Sequence, residues 1–535
     1  MKAIILTAGK AERLKPVINY GEKILLPISG QPIGIRIMLQ YIEHGIKDFI
    51  IVTSEENRAI IEETFNSFFF NSKIKITYHT QMSSNGPGEA VKECIKYIDE
   101  PVIIHLADTM CKLNGIKTGN WIGVSPVSKD CDQWCMVAIN NNMEVTHLYD
   151  KPIRDPKTNL AAIGVYCFED YKLLNRALLE CVSAPELSTI FKKFMKYKSI
   201  KVLKYESWQD LGNMPNYIKN IRYGTADCRY FNKLTISDYG SCIKRSSHLK
   251  TVNCEKDWYR QIKNFPEIKR LVPQIYNYFE DGYEMEFFDY PSLSFMFLYY
   301  NVRSENWKWI VGQLLKVLKN SLWSYKATVE VLNKSYDMAY QIYAIKLEKR
   351  LRLWGSECLH YDKIIINGSV YKGLFFYKEI LREKIEFLSK TAHDYMSTIH
   401  GDLVFSNILY STKYGFFKLI DARGNFGEDT IFGDMRYDYA KLRQCYHGLY
   451  DLIVNDSFEL HRDKNVFEFN LFSDKKIEYI QIDALVMDQG INIDEIEWIE
   501  CLLFLSMIPL HNDKPNRQLA FYLKAIILLS ELYTG

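Results

Sequence analysis

A chain of 535 residues is too long for one hydrophobic core, so two or three domains are expected. Lys+Arg 67 against Asp+Glu 65 leaves a net charge of +2, and nothing in that balance points to nucleic acid or an anionic membrane surface. The cysteines number 12 and are scattered; the nearest pair, Cys131 and Cys135, has no second pair at metal-ligand spacing, which argues against zinc and against a disulfide scaffold.

The apolar run Ala3 to Ala8 is too short for a signal peptide and is followed at once by Lys10, Glu12, Arg13 and Lys15, so it reads as a buried first strand. Further runs at Phe49–Val52, Ile74–Tyr78 and Val102–Leu106 alternate with amphipathic segments such as Ile33–His44 and Ala59–Phe65. That alternation predicts βαβ units, a mostly parallel sheet and an α/β, Rossmann-like domain with ligands beyond the carboxyl ends of its strands. A helical segment Met214–Arg222 ends at Gly224, and a domain boundary is expected there, giving domains 1–223 and 224–535. Beyond it, Asn232–Ile243 reads as a hairpin turning at Asp238–Gly240, followed by a helix over Val252–Asn264 and short strands up to Phe288. From Ser304 the pattern is helical, broken by a strand-like stretch at Ile408–Asp421. A small β-rich lobe (about 226–290) ahead of a larger helical lobe (about 300–535) is the layout of a bilobal, protein-kinase-like α+β domain. The apolar stretch Cys501–Leu510 contains Pro509 and is too short to cross a bilayer, so a cytoplasmic protein without membrane insertion is expected.

The first strand runs into Leu6-Thr7-Ala8-Gly9-Lys10-Ala11-Glu12-Arg13-Leu14, with Lys23-Ile24-Leu25-Leu26-Pro27 downstream. A turn of small residues lets backbone N–H groups approach a nucleotide, and Arg13 and Lys23 bring positive charge to its phosphates. The segment resembles the nucleotidylyltransferases that make nucleotide sugars and CDP-choline-like compounds. It departs from their signature at Ala11, where a glycine is usual, and at Glu22, which replaces a proline. The resemblance continues in order through Gln81, Gly86-Pro87-Gly88-Glu89-Ala90, Asp108, Asp150-Lys151-Pro152, Gly164-Val165-Tyr166 and Trp208-Gln209-Asp210-Leu211-Gly212. It implies nucleotide binding by Leu6, Ala8, Gly9, Gln81 and Gly86, substrate binding by Lys151 and Gly164, and catalytic roles for Arg13 and Lys23. Asp108 and Asp210 are the candidate ligands of Mg2+, which would bridge phosphate oxygens.

His400-Gly401-Asp402-Leu403-Val404-Phe405-Ser406-Asn407 matches the catalytic loop of phosphotransferases. Asp402 is placed to accept a hydroxyl proton, while Asn407 and, past another strand, Asp421 are placed to hold Mg2+. The motif resembles the choline kinase and aminoglycoside phosphotransferase family more than the protein kinases. Asp421-Ala422-Arg423-Gly424 departs from the residues that follow this aspartate in choline kinases. Lys244 is the candidate phosphate lysine, Glu255 its ion-pair partner, and a hinge is expected near Glu284–Phe287; His400 is expected to pack and shape the loop.

Together these motifs suggest a bifunctional enzyme that phosphorylates a small alcohol with ATP and couples the phosphate to an NTP, with CTP and a CDP-linked head group expected. An NDP-sugar pyrophosphorylase joined to a sugar kinase, or a scaffold with one degenerate domain, are the alternatives. Partners are small molecules, not nucleic acid; the oligomeric state is open. All first-site residues precede Gly212 and all second-site residues follow the break. A fragment ending near Tyr223 should therefore release pyrophosphate from NTP and a phosphorylated acceptor unaided, and one starting near Thr225 should consume ATP. Loss of both activities on separation, with both fragments folded, would contradict two self-contained domains.

Overall fold

The computed structural model describes the chain apart from residues 10–22, 29–30, 71, 83–85, 114, 128–130, 153–155, 183–184, 213–231, 238–239, 289, 301, 473–476 and 535. Arg13, the expected helix at 214–222 and the expected boundary at 223/224 lie outside the described residues. The chain divides into two compact units, the first of residues 1–66 and 73–227, the second of residues 67–72 and 228–535.

In the first unit, β1 (Lys2–Leu6) is buried on both faces, as its unbroken Ala-Ile-Ile-Leu run requires. It pairs in parallel with β2 (Asp48–Thr53) on one side and β4 (Val102–Leu106) on the other, and β2 pairs in parallel with β3 (Lys75–Thr80). The order β3-β2-β1-β4 reverses direction between β1 and β4, the position where α/β sheets bind ligands at their carboxyl ends. Between these strands run α1 (Ile33–Glu43), α2 (Arg58–Phe68) and α3 (Pro87–Glu93). In α1, Ile33, Ile37 and Tyr41 recur at helical spacing on its buried face.

The expectation of a mostly parallel sheet needs correcting. After a short β5 (Thr109–Cys111), the chain adds β6 (Trp121–Pro126), β7 (Cys135–Ile139), β8 (Val145–Asp150) and β9 (Leu160–Phe168). β9 runs antiparallel to β4, β6 and β7, and β7 antiparallel to β8; only β10 (Lys201–Lys204) restores a parallel pair, with β6. The nine-stranded sheet is thus mixed, and α4 (Tyr171–Leu179) and α5 (Leu187–Phe194) lie between β9 and β10 in the chain. Its long apolar strands read alike whichever way the neighbour runs, so composition carries no sign of direction.

The second unit opens with an antiparallel sheet ordered β12-β13-β15-β14: β12 (Asn232–Ile236), β13 (Ser241–Ser246), β14 (Ile275–Phe279) and β15 (Gly282–Glu286). α6 (Leu249–Ile262) lies between β13 and β14 in the chain. Because β15 extends through Glu286, only Phe287 of the expected hinge lies outside the sheet. Helix begins earlier than Ser304: Ser292 caps Leu293–Tyr299 by accepting from the Phe295 N–H. The helical part contains α7 (Lys346–Trp354), α8 (Lys378–Thr391), α9 (Met435–Tyr446) and α10 (Ile493–Met507). A hairpin of β18 (Ile408–Tyr410) and β19 (Phe417–Leu419) interrupts it.

The region read as helical also contains a second four-stranded sheet. It joins β16 (Lys363–Ile366) and β17 (Ser369–Lys372) to β20 (Phe458–Asp463) and β21 (Val466–Leu471), in the order β17-β16-β21-β20. The signal was present: Asn367 and Gly368 turn the first hairpin with φ of 50° and 82°, the Asn-Gly pair such two-residue turns favour. In β21, Phe467 and Phe469 alternate inward.

α9 is buried from Arg436 to its end. Arg436, fully inaccessible, donates to Asp434 and Glu495 at 2.6 Å each, to the Thr391 hydroxyl at 2.8 Å and to the Leu388 carbonyl at 2.8 Å. Arg443, two turns further along the same face, pairs with Asp483, Glu497 and Glu500. Removing one partner of such a buried set leaves uncompensated charge. Arg436→Ala should lower the stability of this unit by roughly 3–5 kcal/mol. Arg352→Ala, which breaks an exposed pair with Glu348, should cost under about 1 kcal/mol. Chemical denaturation of both variants checks the contrast, and equal losses would contradict it.

Candidate active sites

The first site forms where β1 and β4 end side by side. Leu6 closes β1 with its side chain in the core, and its carbonyl accepts from the Ala107 N–H at 3.2 Å. Ala8 and Gly9 follow, and a Cβ built on Gly9 would meet nothing among the described residues within 4 Å. Asp108 sits just past β4, between it and β5. β11 (Trp208–Asp210) pairs antiparallel with β5, placing Asp210 opposite Thr109, and the Leu211 N–H donates to the Asp108 carbonyl at 2.8 Å. The two aspartates, 102 positions apart in sequence, thereby become neighbours. A Cβ on Gly212 would lie 2.9 Å from Asp210 Oδ1 and 3.4 Å from Asp108 Oδ2, so both carboxylates turn toward one spot. Lys23 Nζ donates to Asp108 Oδ2 at 2.7 Å, and the Gly212 N–H donates to Asp210 Oδ1 at 2.8 Å. Two hard oxygen donors converging beside a lysine fit a magnesium ion and the phosphates it would bridge.

The other expected residues are arranged as follows. Gln81 donates through its N–H to the Thr53 carbonyl at 2.8 Å and through Nε2 to the Gly86 carbonyl at 3.3 Å, tying the end of β3 to the start of α3. Lys151 is exposed just past β8 with φ of 44°, its N–H donating to the Trp134 carbonyl. Gly164 is buried in β9 with φ of 89°. A Cβ there would come within 2.8 Å of the Thr109 hydroxyl and 3.1 Å of Leu106, so a glycine lets β9 cross the Asp108 turn closely.

The second site gathers residues from four elements. Lys244 on β13, 2% exposed, donates to Glu255 of α6 at 2.7 Å and lies 3.0 Å from Asp421. Burial works against its charge, but Asp421 and Glu255 outweigh burial and push it up to about 12. Burial raises Glu255 from the usual carboxylate range, with Lys244 opposing. Tyr283 of β15 adds a hydrogen bond to Glu255 at 3.2 Å. Asp421 holds a left-handed φ of 61° just beyond β19. The β18–β19 hairpin brings Asn407 beside it, the Ile420 N–H donating to the Asn407 carbonyl at 3.0 Å. Asn407 Nδ2 in turn donates to the Asp402 carbonyl at 2.8 Å. Asn407 and Asp421, oxygen donors on either side of one hairpin, also suit magnesium.

His400 is fully buried and held neutral, its pKa lowered to about 4 by burial. Nε2 lies 2.9 Å from the Ile420 carbonyl, and Nδ1 accepts from the Asp402 N–H at 3.3 Å, so the imidazole ties the two halves of the site together. Sequence reasoning missed several participants. Lys441 on α9 pairs with Asp402 at 3.1 Å. Asp438, three residues earlier, accepts from the N–H groups of His400 and Gly401 at 2.8 Å each and from Trp323 Nε1 at 3.3 Å. Asp434 and Asp438 open this stretch in the sequence, but nothing local in it shows which loop Asp438 holds.

Comparisons with known proteins place the N-terminal unit. Residues 2–225 match the Nucleotidyl transferase family. The bifunctional protein GlmU of Methanocaldococcus jannaschii is 25% identical over 229 residues, 42% of this chain and 54% of that protein. A bifunctional sugar-1-phosphate nucleotidylyltransferase/acetyltransferase of Sulfurisphaera tokodaii is 29% identical over 230 residues, 41% of this chain and 54% of that protein. The chain thus spans about half the length of these curated relatives. Among solved structures, the inositol-1-phosphate CTP transferase from T. maritima is 18% identical, with 42% of this chain and 96% of that one covered, at a TM-score of 0.35. The N-terminal unit is a nucleotidyl transferase domain.

The geometry around Asp438 yields a test that needs no substrate. In Asp438→Asn, one amide face presents N–H groups toward the His400 and Gly401 donors and a bond is lost. Hydrogen exchange at those two amides should quicken about tenfold, with a stability loss of roughly 1–3 kcal/mol. Unchanged protection would mean the carboxylate does not hold the loop.

Proposed function

We propose that the chain is a bifunctional enzyme: its first unit joins a sugar phosphate to a nucleotide, and its second phosphorylates a hydroxyl of a small molecule with ATP. The first half rests on Asp108 and Asp210 meeting at the carboxyl ends of β1 and β4, with Lys23 on Asp108. In the reaction, an ionised phosphate oxygen of the acceptor bonds to the α-phosphorus of the NTP. The bond from that phosphorus to the oxygen bridging to the β-phosphate breaks, and pyrophosphate leaves with the electron pair. Lys23, with Arg13, offsets the developing charge; Lys151 is the candidate contact for the acceptor phosphate. Bound magnesium would supply Lewis-acid neutralisation of phosphate charge. The sugar-1-phosphate in one relative's name favours a sugar phosphate as nucleophile.

The second half is supported by the Lys244–Glu255–Asp421 cluster lying beside the Asp402–Asn407 loop. Lys244 would hold ATP phosphates and Asp402 would orient the hydroxyl and take its proton. A CDP-linked alcohol is the second reading, favoured by a phosphotransferase set and a nucleotidyl transferase domain sharing one chain.

A pyrophosphate-release screen of the four NTPs against phosphorylated sugars and alcohols tests both readings. Asp108→Asn and Asp210→Asn should each lower pyrophosphate release by at least about 10–100-fold while leaving ATP consumption intact. Asp402→Ala should do the reverse, costing about 10²–10⁴-fold in phosphoryl transfer. Near-normal pyrophosphate release from both aspartate variants would remove the metal assignment.

A further inference from the structure

Around Asp402 the second unit collects more positive charge than the carboxylate needs. Lys441 already pairs with it at 3.1 Å. Arg423 arrives from the segment after Asp421: its N–H donates to the His400 carbonyl at 2.8 Å, and a Cβ on Gly401 would fall 2.7 Å from the Arg423 Cβ. Lys346 and Arg350 lie one turn apart on α7, which a π-helical turn at Gln341–Ile345 precedes. Arg350 is braced by the Ser506 carbonyl at 2.9 Å. Lys346 has no ion pair among the described residues. Burial, and then the charges of Arg350, Arg423 and Lys441, hold it well below the usual lysine range, with Asp402 the only acid among the leading causes. The carboxylates on the nucleotide side, Glu255 and Asp421, are engaged by Lys244.

Like charges brought together at a partly desolvated site repel unless an anion joins them. A choline-like or aminoglycoside-like acceptor would add a further cation. We propose that the acceptor whose hydroxyl reaches Asp402 is itself an anion, a polyhydroxylated molecule bearing a carboxylate or phosphate group, bound by Lys346, Arg350 and Arg423. The inference rests on the phosphotransfer reading of this site and specifies its substrate class. The acceptor's hydroxyl oxygen bonds to the γ-phosphorus of ATP, the bond to the β–γ bridging oxygen breaks, ADP leaves with the electron pair, and the hydroxyl proton passes to Asp402. The charged group stays unreacted and serves as the handle; guanidinium groups suit it because they bind oxyanions in two-pronged fashion.

Competitive acetylation of the full-length chain, read at Lys346 by mass spectrometry at constant ionic strength, tests this directly. The probes are glucuronate, inorganic phosphate, glucose, glucosamine, choline and Mg·ATP. Glucuronate or phosphate should slow labelling by about threefold at twice its Kd, whereas glucose, glucosamine and choline should not. The glucuronate and phosphate arms separate a carboxylate handle from a phosphate one. Protection by glucosamine or choline, or by neither anion, would overturn the inference. Equal protection by Mg·ATP alone would assign these cations to the nucleotide and overturn it too. Slow ATP hydrolysis, followed in parallel and removed by Asp421→Ala, reports on phosphotransfer separately: its absence from the wild-type chain sinks that reading, while failed anion protection beside intact hydrolysis sinks only this one.

Discussion

Lys244 carries a full charge into an almost inaccessible position, and the two carboxylates it meets there come from different parts of the second unit. Glu255 arrives on α6 and Asp421 at the end of the β18–β19 hairpin. Lys244 and Glu255 would each be costly to bury alone, and removing Lys244 would leave both carboxylates uncompensated. The pairing therefore has a structural consequence beyond its own energy, because it fixes the sheet carrying Lys244 against the loop carrying Asp421. Asp421 holds a left-handed backbone, a conformation that costs about 1 kcal/mol or more for such a residue. The same device recurs elsewhere in the chain at smaller scale. Lys23 holds Asp108 and Lys441 holds Asp402, so three candidate reactive carboxylates are each positioned by a lysine.

Positioning by burial also governs how the second site responds to acid. His400 is neutral when folded, with its pKa lowered to about 4 by burial, whereas an unfolded histidine titrates near 6.5. As pH falls through that interval the unfolded chain gains a proton that the folded one refuses, and stability is lost. Asp438 runs the other way. Burial raises it to about 6, against the hydrogen bonds from His400 and Gly401 that favour its charge. Below pH 6 the folded state takes up a proton before the unfolded one does, and stability is gained until both are protonated. The two windows overlap, so the acid response of one group offsets that of the other within the same loop.

How much of this was legible beforehand depends on the range of the interaction. Local patterns carried far: the small-residue turn after β1, the spacing from Asp402 to Asn407 and the strand ends at Asp108 and Asp210 are all short-range features. Strand direction was not legible, because β9 is apolar throughout and gives no hint that it pairs antiparallel with β4, β6 and β7. The second small sheet was legible in part, through Asn367-Gly368 and the alternation in β21, but helical neighbours on both sides masked it. The cations around Asp402 were invisible for another reason. Lys346, Arg423 and Lys441 are far apart in sequence, and a lysine on an amphipathic helix reads as a solvated one until the fold shows what it faces.

Under the function proposed above, the division of chemistry between the units follows from what each reaction asks of its carboxylates. A phosphate ester arrives ionised at neutral pH, so nucleotidyl transfer needs no base, and the first site can commit both aspartates to holding charge: Asp108 to Lys23, Asp210 to the Gly212 N–H. A hydroxyl arrives neutral, and its proton must go somewhere as the new P–O bond forms. Of the two units, the second is the one whose sequence places an aspartate in a loop resembling those of phosphotransferases, with Asn407 locking its backbone and Lys441 its side chain. On this reading the order of steps is set by chemistry: the unit that can handle a neutral nucleophile makes the ionised one that the other unit uses. Sharing one chain then raises the effective concentration of the intermediate at the first site without any new contact being required.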